Sequence, residues 1–70
     1  MKAILLNLAL IELNRFCKEQ GIPANGPDGK GARVEKRARG FVYTLVSVTT
    51  GRPIVSVRFH KSQTPTHLVY

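Results

Sequence analysis

Residues 41–60, FVYTLVSVTTGRPIVSVRFH, contain the pattern that decides the fold. The runs 41–48 and 53–60 are rich in valine, isoleucine, threonine and aromatic residues, and each has the length of a β-strand. The intervening TTGR includes Gly51, which readily adopts the positive φ that a tight hairpin needs. The stretch therefore predicts an antiparallel β-hairpin.

The tightest register, with Thr50-Gly51 as the loop, predicts two distinct hairpin faces, because side chains alternate along a strand. The core face would contain Val42, Thr44, Val46, Val55, Val57 and Phe59. The other face would mix aromatic and basic side chains, namely Phe41, Tyr43, Arg58 and His60. A slip of one residue would exchange the faces of one strand relative to the other.

Residues 2 to about 20 precede the hairpin and predict a helix, because good helix formers dominate and no Gly or Pro occurs before Gly21. Gly21 stands where a left-handed C-cap is expected, with Lys18 in the last turn and Pro23 just beyond. Helix and hairpin together predict an α+β fold in a single domain, 1–70. It would have one N-terminal amphipathic helix packed on a small antiparallel sheet of two to four strands.

The helix has a broad apolar face and a surplus of apolar residues outside it. The predicted core face contains Ala3, Leu5, Leu6, Ala9, Leu10, Leu13, Phe16 and Cys17. Ile4, Leu8 and Ile11 instead fall among the polar residues of the opposite side. A helix that is apolar on both sides needs cover on both, which predicts a homodimer through these three residues. The alternative is that the basic segment or the C-terminus folds over them.

The remaining segments are a loop at 21–31, a basic segment at 32–39 and a C-terminal tail or short strand at 61–70. The loop PANGPDGKG is rich in turn residues but lacks the spacing of a phosphate-binding loop, so it is interpreted as a flexible linker. The basic segment ARVEKRAR suits either a short helix or an edge strand. We favour the strand, because it leads directly into the hairpin and because charged edges resist unwanted pairing.

The net charge lies entirely in the second half of the chain. Residues 1–29 are neutral overall, whereas residues 30–70 carry eight cations against Glu35 alone, which gives the net charge of +7. A polyanion is the simplest partner for such a surface, because each cation placed against a phosphate releases condensed counterions.

Other classes of function have little support in the sequence. A single cysteine permits no internal disulfide and favours a reducing cytoplasm, and Cys17 is expected to act as a small hydrophobe. The scattered acids and the spacing of cysteine and histidine predict no metal site, no cofactor and no enzyme activity. The apolar run near the N-terminus is too short to span a bilayer, so no membrane partner is expected.

We therefore expect a non-catalytic nucleic-acid-binding protein that contacts mainly the phosphate backbone of DNA or RNA. Aromatic residues beside cations on a sheet can stack bases and hold the backbone together. The candidate contact residues are Lys30, Arg33, Lys36, Arg37, Arg39, Tyr43, Arg52, Arg58, His60 and Lys61. The alternative is a small accessory protein of phage or plasmid type that binds an acidic protein partner and inhibits or regulates it.

Overall fold

The computed structural model describes residues 2–36 and 40–70, with side chains described from Ile4 onward. Within these residues the chain forms one helix followed by a sheet with the strand order β1-β2-β3-β4, and every pairing is antiparallel. The elements are α1 (Lys2–Gln20), β1 (Ala32–Glu35), β2 (Val42–Ser47), β3 (Pro53–Arg58) and β4 (Thr66–Val69). The predicted α+β fold is confirmed.

The helix ends at Gly21, as the sequence predicts. Gly21 has a φ of 73°, and the next residue, Ile22, donates its backbone N–H to the carbonyl of Cys17 at 2.8 Å. This is the Schellman arrangement, which satisfies a carbonyl of the last turn and brings an apolar residue back against the helix. Ile22 accordingly packs beside the core. The cap thus fixes the direction in which the chain leaves α1.

The core lies between one stripe of α1 and one face of the sheet. Ala9, Leu13 and Cys17 are spaced four residues apart and are fully buried. They pack on a sheet face whose central members are Tyr43, Leu45, Val55 and Val57. Burial of an aliphatic side chain of this size contributes about 1.5–3 kcal/mol, so this layer contributes most of the stabilisation of the fold.

The buried stripe of the helix is narrower than its apolar residues imply. Leu6 and Leu10, predicted to be core, border the stripe and are each 39% exposed, which corrects that prediction. The reason is that a single sheet contacts a single side of α1, and no second layer of the described residues covers its flanks. Leu5 and Phe16, on the other border, are partly buried against the core.

The predicted hairpin register is wrong by one residue. Tyr43 pairs with Val57 and Leu45 with Val55, and a bulge between Leu45 and Val46 shifts the pairing again towards the turn. Paired residues lie on the same face of the sheet. The side chains of β2 therefore lie on the face opposite to the predicted one, whereas those of β3 lie on the predicted face. The core face therefore takes Tyr43 and Leu45 from β2 rather than the predicted Val42, Thr44 and Val46.

The turn explains this register. Ser47 donates its N–H to the carbonyl of Arg52 at 3.0 Å, and Gly51 donates to the carbonyl of Ser47 at 2.9 Å, so the loop spans residues 48–51. A two-residue Thr50-Gly51 loop of the favoured type needs positive φ at both positions, which a β-branched residue resists. Gly51 alone within this loop has positive φ. The Ser47 hydroxyl accepts hydrogen bonds from the N–H groups of Thr49 and Thr50 and stabilises the longer loop.

The segment before the hairpin is more ordered than a linker. Gly31 donates its N–H to the carbonyl of Asn25 at 2.8 Å, and Val48 donates to the carbonyl of Gly31 at 3.1 Å. These bonds attach the loop to the turn end of the hairpin. The chain then forms β1, a strand at the sheet edge, as we favoured for this ambiguous segment.

Gly21→Ala should destabilise the protein by about 1 kcal/mol, because an L-residue is strained in the left-handed region. A Cβ at this position meets no atom within 4 Å, so the cost is conformational rather than steric. Urea denaturation checks the difference in unfolding free energy, with Gln20→Ala as the control that should change it by less than about 0.5 kcal/mol. Equal stability of the two variants would contradict the assigned cap.

Cys17 should react slowly with a thiol reagent in the native protein. The residue is fully buried, and burial raises the pKa of its thiol, so both access and the reactive thiolate are suppressed. The labelling rate in buffer and in urea checks this. An Asn14→Cys thiol, placed at an exposed helix position in a Cys17→Ala background, is the matched control and should react at similar rates in both conditions. Fast native labelling of Cys17 would contradict a structural role.

Candidate nucleic-acid interface

The sheet face that α1 does not cover is here called the open face. Directly paired residues of an antiparallel sheet share a face, so the strand pairing defines its members. They are Arg33 and Glu35 on β1, Val42, Thr44 and Val46 on β2, Ser56 and Arg58 on β3, and Thr66 and Leu68 on β4. The open face therefore has a floor of small and β-branched side chains on its central strands and longer side chains around them.

Arg33 and Arg58 give the open face its positive charge. Arg33 lies on the edge strand β1 and pairs with Glu35, which is 2.5 Å from its guanidinium. Arg58 lies across the sheet on β3, is exposed, and makes no ion pair within the described residues. Both guanidinium groups are thus on the same side of the sheet, with the buried residues Thr44 and Ser56 in the floor between them.

Beside Arg58, the open face contains a shallow cavity of about 310 Å³. Ser56 contributes to its floor and Tyr70 to its wall. The N–H of Tyr70 donates to the carbonyl of Ile54 at 3.0 Å, which extends the ladder beyond β4 and keeps this residue next to the sheet. Tyr70 remains 61% exposed, so its ring is accessible to a ligand. The sequence reasoning did not single out this aromatic residue.

Tyr43, which the sequence places on the nucleic-acid surface, lies in the core instead. It is only 4% exposed, and its ring meets that of Phe59 edge-on with centroids 6.0 Å apart. A buried ring offers no face for stacking on a base, so Tyr43 is removed from the candidate site. The cause is the register of the hairpin, because β2 presents this residue to the helix.

His60 and Lys61 lie at the end of the sheet away from the hairpin turn. They line a groove of about 460 Å³ together with Phe41, Phe59 and Leu5 of the helix. The Nε2 atom of His60 is 3.0 Å from the hydroxyl of Thr66, which ties β3 to the start of β4. These two candidate residues therefore lie at one end of the sheet, where His60 meets the open face at Thr66.

Lys30 and Arg52 lie at the turn end of the sheet. The loop that contains Lys30 bonds to the start of the hairpin turn, and the N–H of Lys30 donates to the Asp28 carboxylate at 3.0 Å. Arg52 lines a broad depression of about 700 Å³ that also includes Tyr70 and Pro53. Candidate cations are therefore distributed over the open face and both ends of the sheet.

The basic segment extends past the end of β1. Lys36 directly follows the strand and is exposed. The predicted contacts at Arg37 and Arg39 lie outside the described residues.

Glu12 and His67 form a separate polar contact between α1 and β4. The Nε2 atom of His67 is 3.2 Å from a carboxylate oxygen of Glu12, without the alignment of a hydrogen bond. The imidazole stacks on Phe16 with ring centroids 4.0 Å apart. Glu12 also accepts from Arg15. These contacts hold the edge strand against the helix.

Among the described residues, no group of three or more His, Cys, Asp or Glu side chains is placed to hold a metal ion. Within the same part of the chain, α1 lacks the length of apolar sequence that a membrane-spanning helix requires.

The outer side of the helix carries the apolar surplus seen in the sequence. Ile4, Leu8 and Ile11 are 60%, 47% and 64% exposed. The basic segment and the C-terminal strand, as far as they are described, leave these three side chains uncovered. The homodimer expected through them stays a prediction.

Comparisons with protein-family models, with curated proteins and with solved structures found no match to this chain.

Proposed function

We propose that this protein binds nucleic acid without catalysing a reaction, and that it does so mainly through the phosphate backbone on the open face. The observation that supports the proposal is the placement of Arg33 and Arg58 on the one uncovered face of the sheet. A strand of DNA or RNA laid across the floor between them would have a guanidinium on each side.

The charge distribution favours a polyanion over a small anion. Cations occur on the open face and at both ends of the sheet, whereas α1 carries three cations against two acids, a net charge of +1. A ligand with one phosphate would use a single cluster, and the cations are spread along the sheet instead. A phosphate backbone presents charges at regular intervals and would use several of them at once.

The open face also provides contacts other than charge. Thr66 is exposed on it, and hydroxyl groups donate readily to phosphate oxygens. Tyr70 provides an exposed ring beside Arg58. Phosphate contacts with one stacking residue would give binding with little sequence preference.

A second candidate is a protein partner, and the exposed helix residues favour it. Five large aliphatic side chains of α1 are at least 39% exposed, which is an apolar surface typical of protein association. They are Ile4, Leu6, Leu8, Leu10 and Ile11. An acidic partner would additionally use the cations of the sheet. This candidate becomes the leading one if the protein binds neither DNA nor RNA at low salt.

Arg58→Gln should lower the affinity for labelled oligonucleotides and flatten its salt dependence. Each phosphate contact contributes a slope of about −0.9 in log affinity against log salt on duplexes and about −0.7 on single strands. Fluorescence anisotropy across a salt series measures the slope for a duplex and for a single strand. The loss should be similar for all sequences, because a phosphate contact does not distinguish bases.

Lys18→Gln is the matched control for that experiment. It removes the same charge from an exposed position on the helix, on the other side of the molecule. It should leave the slope nearly unchanged. If the two variants changed the slope equally, binding would depend on net charge alone, which would contradict an interface on the open face.

Tyr70→Leu should weaken binding to single strands more than to duplexes. Stacking needs an unpaired base, and stacking on one aromatic side chain typically contributes about 1–3 kcal/mol. Tyr43→Leu is not a suitable control, because that ring is buried in the core. Phe41→Leu is suitable, because Phe41 is an exposed ring in the separate groove. An equal loss on both substrates with Tyr70→Leu would exclude stacking by this ring.

A further inference from the structure

The two edges of the sheet differ in charge. β1 carries Arg33 and Glu35 and is followed by Lys36, and charged side chains on an edge oppose pairing with another strand. β4 has the sequence THLV and contains no Asp, Glu, Lys or Arg. No charged side chain on the strand itself opposes pairing, so β4 is here called the open edge of this sheet.

The hydrogen bond of Tyr70 shows which backbone groups of β4 are free to pair. The N–H of Tyr70 donates to the carbonyl of Ile54, and in an antiparallel ladder alternate residues point to the same neighbour. Leu68 therefore points its N–H and C=O towards β3, while His67 and Val69 point theirs away from the sheet. No strand lies beyond β4 in the part of the chain that the structure describes.

We propose that β4 pairs antiparallel with β4 of a second copy and so forms a two-fold dimer. In the register that uses all the outward groups, His67 pairs with Val69 of the partner subunit, and each donates one hydrogen bond to the other. Symmetry repeats this pair on the other side of the axis. Leu68 then lies opposite Leu68 of the partner subunit on the axis itself.

The exposure of side chains on β4 agrees with this partner. Leu68 and Val69 are 56% and 53% exposed, so this edge presents large apolar side chains to solvent. Pairing would bring the two Leu68 side chains together at a closely spaced, non-hydrogen-bonded position, where cross-strand contacts are strongest. An apolar pair at the axis makes the edge complementary to itself.

Charge also favours β4 over the other edge. Each copy carries a net charge of +7, so two copies repel, and the repulsion is smallest where their contact avoids the cations. A β1–β1 contact would bring Arg33 and Lys36 of both copies together, and a β1–β4 contact would repeat head to tail and form open polymers. A β4–β4 contact is closed and lacks Lys and Arg on the pairing strands.

The dimer axis would be perpendicular to the sheet. Both helices would then lie on one side, and the two open faces would join on the other. A joined nucleic-acid surface made of the two open faces rests on the function proposed above, whereas the dimer itself does not. The dimer can therefore be tested with no nucleic acid present.

Disulfide trapping tests the proposed register. In a Cys17→Ala background, Leu68→Cys should form a covalent dimer under mild oxidation, because Cα atoms about 4.5 Å apart at such a pair are within disulfide range. Thr66→Cys is the control on the same strand and face, and it should remain mostly monomeric because it lies away from the axis. Equal trapping of both variants, or preferential trapping of Thr66→Cys, would overturn the register.

Sedimentation at high micromolar concentration tests the edge itself. Val69→Pro removes an outward N–H, which an edge strand tolerates, and should give a monomer with an unchanged circular dichroism spectrum. A variant with Leu8→Lys and Ile11→Lys should remain dimeric, whereas the homodimer through the helix that the sequence predicts would become monomeric. Added salt should strengthen the wild-type dimer by screening repulsion, in contrast to its effect on nucleic-acid binding.

Three results would overturn the proposal. They are a wild type that is monomeric at every concentration and salt, a dimer abolished by the helix substitutions but not by Val69→Pro, and a series of polymers. If Val69→Pro unfolds the protein, the trapping of Leu68→Cys decides the question. Absence of nucleic-acid binding in the anisotropy experiment would leave the dimer unaffected.

Discussion

The fold depends on burial of one helix stripe against one face of the sheet. Ala9, Leu13 and Cys17 meet the central residues of β2 and β3, and the described chain has no second apolar layer. A protein of 70 residues buries a modest fraction of its surface, so this single layer has to provide most of the stabilisation. Because the core is one-sided, it also determines what remains uncovered: the outer side of the helix, the open face and the sheet edges.

Much of the fold follows from local sequence patterns. The exception is the register of the hairpin, which depends on the length of its turn. The helix, its end at Gly21 and the two hairpin strands follow from propensity, capping and composition. The register does not, because it depends on whether the turn has two or four residues. Thr50 resists the positive φ of the shorter turn, and the Ser47 hydroxyl stabilises the longer one. The β-branched Thr50 before Gly51 is the feature of the sequence that favours the observed loop.

The register then decides the composition of the candidate site. The concentration of cations in the sheet half is a property of the sequence alone, and Arg58 keeps its predicted exposed position because β3 keeps its face. Tyr43 changes from the surface to the core because β2 turns over, and Thr44 takes its place on the open face. Tyr70 could not be assigned from sequence, since its position depends on β4 pairing with β3. Long-range pairing is therefore the part that sequence patterns leave open.

His67 contacts the helix with its side chain and belongs to the edge of the sheet with its backbone. Its side chain stacks on Phe16 and approaches Glu12, so the imidazole is held by α1. Its backbone N–H and C=O lie in the plane of the sheet and point outward from its edge, because the Tyr70 bond fixes the alternation of the ladder. The helix therefore supports β4 from one face without covering its hydrogen-bonding edge. An edge held rigid by such contacts loses less conformational entropy on pairing than a mobile strand, which makes β4 better suited than a free tail to meet a second copy.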